Sequence, residues 1–216
     1  MIVAYAAEKI MGTITPLVTK DTVIISDELN HNCIINAVRL SRPLDKGIYP
    51  HLDLASLEKQ IESAKGRARR VLVITDGIFS MRGDHAPVGE IMEIAMRHDD
   101  AFEGNVVVIV DDSHGVGAFG ATGRGTEEYT GSPPVDILVG TLGKAFGING
   151  GYVVGNSVLI QFLRESAPFY ISQGEYLEAV KSGARIFNIN VDGKKQTVLF
   201  KSIQYHPVTE KVLHID

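Results

Sequence analysis

The chain has no tryptophan, a single cysteine and no long run of one charge sign. One cysteine, Cys33, excludes an intrachain disulfide framework and suits a reducing compartment. Cys33 falls in the apolar stretch "CIINAV" and reads as a buried, inert thiol. The formal net charge is -5. With no basic run, that argues against binding nucleic acid through phosphate contacts. No uninterrupted apolar run approaches the ~20 residues of a membrane helix. No secretory leader with a basic start and a cleavage site is expected. The sequence expectation is a cytoplasmic protein with no membrane segment.

What is present is a strong core signal. Hydrophobic residues make up 44% of 216 residues, enough for one large domain or one domain plus an appendage. Four short β-branched runs recur: "TVIIS" at 22–26, "VLVIT" at 71–75, "VVVIV" at 106–110 and "DILVG" at 136–140. They are continuous rather than alternating, as strands buried on both faces of a parallel sheet read. Between them lie helical patterns. "LASLEKQIESA" puts Leu54, Leu57 and Ile61 on one face, and "VGEIMEIAMRHD" does the same for Ile91, Ile94 and Ala95. Strand and helix alternate, which predicts an α/β fold with helices over a mostly parallel sheet. Such sheets bind ligands in the crevice at the carboxyl ends of their strands.

The last forty-odd residues differ. "RIFNINVDGKKQTVLFKSIQYHPVTEKVLHID" alternates apolar and polar residues around Asp192-Gly193, which predicts a β-hairpin from about Arg185 to Phe200. The reading divides the chain into a body, 1–171, and a divergent β-rich tail, 172–216.

Each predicted strand ends in a polar cluster. "TVIIS" runs into "DELNHN", with His31. "VLVIT" runs into "DGIFSMRGD", with Asp76 and Ser80. "VVVIV" runs into "DDSHGVG", with Asp111 and His114. "DILVG" runs into "TLGKAFG", with Thr141 and Lys144 among glycines. Taken singly, these have bland readings. "DDSH" also reads as a metal site or a helix cap. His31 also reads as a loop histidine, and Ser80 as the start of a turn. The Thr-x-x-Lys loop lacks the full phosphate-loop pattern. His51, His85, His98, His206 and His214 show no partner spacing and read as surface or structural. Together the clusters match what pyridoxal 5'-phosphate (PLP) needs: a lysine amine for its aldehyde, a carboxylate for its pyridine nitrogen, a donor facing its phenolic oxygen and a flat cover for its ring. No metal site is expected.

The stretches "DELNHNCIINAVRLSR", "DGIFSMRGDHAPV", "VVVIVDDSHGVGAFGATGRGTEEY" and "TLGKAFGINGGYVVG" resemble the α-oxoamine synthases, fold-type-I PLP enzymes. The likeness runs from about Gly12 to Tyr170, and "DGIFSM" looks most similar to the glycine acetyltransferase branch. It implies an acyltransferase joining a glycine-like amino acid to an acyl-CoA, working as a homodimer. It implies that Lys144 is the Schiff-base lysine and the base at the amino acid's Cα. The place of Lys144 at a strand end itself reads as buried, and burial disfavours the ammonium. Asp111 would pair with the pyridine nitrogen, His114 with the phenolic oxygen, and His31 would stack on the ring. Ser80 would lie near the phenolic oxygen and Thr141 near the phosphate. Asp76 matches a position near the ring. Family members are about twice as long as this chain. Their N-terminal phosphate segment is not recognisable here (Tyr5 stands near where it would end), and their small domain with its carboxylate-binding arginine is not matched. A truncated or inactive fragment of that fold is therefore the alternative reading.

Overall fold

The computed structural model describes residues 2–3, 6–147, 150–167, 185–191, 194–200, 203–205 and 212–215, with side chains from 10 to 147 and 150 to 167. The expected α/β body is there. Its strands are β1 (Ile2–Val3), β2 (Thr22–Asp27), β3 (Asp45–Tyr49), β4 (Arg70–Asp76), β5 (Val106–Asp111), β6 (Ile137–Thr141) and β7 (Gly151–Gly155). They form one sheet in the order β1-β7-β6-β5-β4-β2-β3. The β3–β2, β2–β4, β4–β5 and β5–β6 pairs are parallel, whereas β7 runs antiparallel to both β6 and β1.

The four apolar runs are the four central strands, and their continuity has a simple cause. Successive side chains point to opposite faces of a sheet. Val23, Ile25, Val71 and Val73 face one core, under α3 (Leu54–Ala64) and α4 (Val88–His98). Ile24, Leu72, Ile74 and Ile109 face the other, under α1 (Ala6–Leu17), α2 (Asn32–Leu40) and α6 (Ser157–Ser166). Both faces are covered, so no position in these strands has to be polar. The helical faces fall as expected: Leu57, Ile61, Ile91, Ile94 and Ala95 are buried. A short α5 (Thr126–Thr130) follows the glycine-rich segment after β5.

Strands β8 (Arg185–Val191) and β9 (Lys194–Phe200) pair antiparallel, from Arg185 opposite Phe200 to Val191 opposite Lys194. The Asp192-Gly193 turn and the expected boundary near residue 172 lie outside the described residues, as do Tyr5 and His206. Strands β10 (Ile203–Tyr205) and β11 (Val212–Ile215) form a second antiparallel pair. Among the described residues no helix is long and apolar enough to cross a membrane.

The parallel strands end on one rim. Asp27, Asp76, Asp111 and Thr141 are the last residues of β2, β4, β5 and β6, and all four are buried. Asp76 and Asp111 stand opposite each other in the β4–β5 register.

Candidate active site

Asp111 accepts the Ser113 N–H through Oδ1 at 3.1 Å, and its Oδ2 lies 3.8 Å from the Cys33 thiol. Asp76 sits beside it on β4, accepts the His31 N–H through Oδ2 at 2.8 Å, and gives its own N–H to Asn30 Oδ1 at 2.7 Å. Burial is the main reason its carboxyl is pushed up to about 8, and the neighbouring Asp111 carboxylate adds to that rise. The His31 N–H and the Lys144 ammonium oppose it. Two carboxyls share a dry rim, and one of them keeps its proton into neutral pH.

His31 caps α2. Its Nδ1 accepts the Cys33 N–H at 3.2 Å and lies 3.0 Å from Cys33 Sγ. Asn30, one residue earlier, is buried and donates to Ser26 Oγ at 2.9 Å and to the Ile74 carbonyl at 2.8 Å. Asn30 thereby fastens the end of β2 to β4 and aims His31 at Asp76. Cys33 is half-buried rather than fully enclosed as expected. Burial, then the Asp111 and Asp76 charges, push its thiol up to about 12, so it stays protonated and inert.

His114 is half-buried on the turn after β5, and its imidazole is held below the usual histidine range. Burial is the main cause, Lys144 and His31 add to it, and the Asp111 carboxylate opposes them. Those mutual influences gather Lys144, His31, Asp76, Asp111 and His114 about one rim. Lys144 corrects the sequence reading, which buries it at a strand end. It is exposed, three residues beyond β6, in a turn where its carbonyl accepts the Gly147 N–H at 3.1 Å. The loop carries it past the end of β6, where it is exposed rather than packed into the core. Thr141 is buried, and its hydroxyl reaches the Gly150 carbonyl and accepts the Gly143 N–H, both at 3.2 Å, so it shapes the lysine loop. Ser80 is exposed at the tip of the loop after β4.

The residue after Asp111 carries a role that the motif did not reveal. Asp112 is fully buried and accepts both the Thr126 N–H, at 2.7 Å, and the Thr126 hydroxyl. Glycines close around it: a Cβ on Gly77 or Gly115 would collide with its carboxylate. Asp112 thus fixes the start of α5 and the path of the segment that carries His114. "DDSH" gives no sign of which aspartate faces the rim and which faces inward, because only the end of β5 decides it.

The donor set fits PLP. A buried pair of carboxyls of which one is forced to hold a proton is relieved by a cation, and a pyridinium N–H is one. A neutral imidazole and an accessible amine stand on the same rim.

A sheet of this order with this rim defines the PLP-dependent transferase class. The family model for aminotransferase class I and II matches residues 6–193, and the chain belongs to that family. It is 45% identical over 163 residues to a putative 8-amino-7-oxononanoate synthase of Bacillus licheniformis, covering 76% of this chain and 41% of the relative. To the 8-amino-7-oxononanoate synthase of Fervidobacterium nodosum it is 45% identical over 173 residues, covering 75% and 42%. Among solved structures, the Sphingomonas wittichii serine palmitoyltransferase is 30% identical with a TM-score of 0.70, covering 79% of this chain and 42% of that one. A serine palmitoyltransferase solved with PLP is 29% identical with the same TM-score and coverage. These names are members of the α-oxoamine synthase family that the motifs resemble. The chain spans about two-fifths of the length of the curated relatives it matches.

Proposed function

We propose that this chain carries the cofactor-binding core of an α-oxoamine synthase, a PLP-dependent acyltransferase that condenses a glycine-like amino acid with an acyl-CoA. The observation that supports it most directly is the pairing of Asp76 and Asp111 at adjacent strand ends, with the Lys144 charge acting on Asp76 from the next loop. Bound PLP supplies an aldehyde that captures an amine and a ring that takes up the electron pair left at the amino acid's Cα. The chain's residues do the rest. The Asp111 carboxylate would accept the pyridinium N–H and keep that proton in place. His114 and Ser80 would serve the phenolic oxygen, His31 would cover the ring, and Thr141 would help to hold the phosphate. Asp76 accepts the His31 backbone N–H and so would hold the cover in register with Asp111. Lys144 would hold the cofactor through its amine and would serve as the base at the amino acid's Cα. An exposed amine suits both tasks better than a buried one, since it must reach two positions.

The test is direct. PLP is added, the adduct is reduced with borohydride, and labelled peptides are mapped. Label concentrated on Lys144, and its disappearance in Lys144→Ala with the fold intact, is expected. Label spread over surface lysines with Lys144 untouched would sink the reading.

One observation favours a second reading. The stretch shared with the relatives is about two-fifths of their length, and PLP binding by that stretch without turnover is the second reading. CoA release from acyl-CoA and glycine, followed with a thiol reagent, separates the two: a labelled Lys144 with no CoA release supports the module.

A further inference from the structure

His51 follows β3 and has partners on two other elements. Its Nδ1 lies 3.0 Å from Asp27 Oδ1, at the end of β2, and its Nε2 lies 3.2 Å from Asp84 Oδ2, in the loop 77–87 after β4. The imidazole is 9% exposed and the Asp27 side chain is fully buried. The ring also meets Phe79 edge-on, with centroids 4.4 Å apart. Each ring nitrogen faces a carboxylate oxygen, so a proton on either nitrogen has an acceptor within reach. Around this bridge further bonds hold the partners in place, although Asp84 Oδ1 is buried with no hydrogen-bond partner among the described residues. Asp27 also accepts the Leu29 and Leu52 N–H groups, at 2.8 and 3.1 Å. Glu28 accepts the His51 N–H at 2.9 Å, and Arg82 donates to Asp84 Oδ2 at 3.0 Å.

The bridge reaches a loop that matters. Residues 77–87 fold back on themselves through the Phe79 N–H to Asp84 carbonyl bond, at 2.9 Å, and the Gly83 N–H to Phe79 carbonyl bond, at 2.8 Å. Ser80 and Met81 stand at its exposed tip. The base of the loop is tied to β5 through the Gly77 N–H and the Asp111 carbonyl, at 2.8 Å. The far side is tied through Phe79 and Asp84, and both of those contacts are with His51.

We propose that His51 is a positioning residue: its imidazole clamps loop 77–87 to the end of β2, and so fixes Ser80 relative to His31 on the cofactor rim. This rests on the PLP reading for its consequence but not for its geometry. The clamp joins the ends of β2 and β4 across a third element, the turn after β3, so loss of either arm frees the tip without touching the core strands.

The test uses the whole chain with two readouts. The first is amide exchange at Phe79, Gly83 and Ala86, with the β5 amides as reference. Losing one charge-assisted hydrogen bond should speed local opening by about tenfold or more. His51→Phe and, should that variant fold poorly, Asp84→Ala are expected to show this acceleration with β5 unchanged. Asp84→Asn retains an acceptor and should stay within about threefold of the parent, a rescue that a general packing defect would not give. The second readout is the rate at which PLP absorbance is lost on dilution, expected to rise in the two loosened variants. Unchanged exchange at the loop amides in both variants overturns the clamp. Faster exchange with an unchanged PLP off-rate overturns its bearing on the site. If the parent binds no PLP, the proposed function fails, and the exchange result alone then decides the clamp.

Discussion

Asp76 keeps its proton to about pH 8 in the folded chain, whereas an ordinary aspartate loses it near 3.8. The sign of the stability effect follows. Between those values the unfolded chain has released the proton and the folded one still holds it, so raising the pH favours unfolding. The stabilisation present below the unfolded value is lost progressively up to about 8, on the order of a few kcal/mol. Asp76→Asn keeps an acceptor for the His31 N–H and removes the titration. Urea unfolding across that pH range should show the parent losing stability and Asp76→Asn losing markedly less, and parallel pH curves would refute the assignment. Asp76 was visible in the sequence as a strand-end carboxylate. Its proton was not, because that depends first on the burial of the carboxyl and then on Asp111 standing opposite it in register, and both are set by the whole sheet. Lys144 shows the limit from the other side. Its glycine-flanked loop was plain, but how far the loop lifts it from the sheet depends on the return through Gly150 to β7.

At the scale of elements, Asp112 is the hinge pin of the segment between β5 and α5. Removing its carboxylate in Asp112→Ala leaves the buried Thr126 N–H and hydroxyl without a partner. Each stranded donor costs roughly 1–3 kcal/mol, so a loss of about 2–5 kcal/mol is expected by chemical denaturation. The near-UV signal of Tyr129, one turn into α5, should also change; a loss below about 1 kcal/mol would show that water reaches those donors. The central strands and α3 and α4 were readable because burial on both faces writes itself as unbroken β-branched runs and as helical stripes. Strand β3, "DKGIY", escaped because an edge strand with exposed Asp45 and Lys46 has no such run. β7 escaped as well, since "GYVVG" is short and bounded by glycine. The partners of His51 and His98 escaped for a different reason. Asp27 and Asp84 lie 24 and 33 positions from His51, and Glu58 lies 40 from His98, so no local spacing betrays them.

On the scale of the whole molecule, the cofactor rim is ringed by exposed apolar side chains. Leu29, Met81 and Phe146 stand on the loops after β2, β4 and β6, and Met81 is 96% exposed. Soluble surfaces seldom leave such groups together at one end of a sheet unless something covers them. A second copy of the chain, as in the homodimer that the family resemblance implies, is the expected cover. Sedimentation should show association that weakens in a Met81→Ser, Phe146→Ser double variant; a monomer at high concentration in the parent would count against it. The parallel sheet and its polar rim were legible beforehand in the buried runs and the clusters that end them. The apolar collar was not, since each member is a lone residue in a loop.

The antiparallel pairing of β1 with β7 has a kinetic consequence. Ile2 meets Val153 and Val3 meets Tyr152, so this contact closes a span of about 150 residues, whereas β2, β4, β5 and β6 join through successive local crossovers. Closing a long span is slow when little contact rewards it, and here only two residues on each side are gained. Ile2 and Val3 therefore wait for their partners until everything up to Gly155 is assembled, and the β1 edge is the last part of the sheet to be sealed. In pulse-labelled refolding, amides of β4 and β5 should gain protection well before those of Ile2 and Val3.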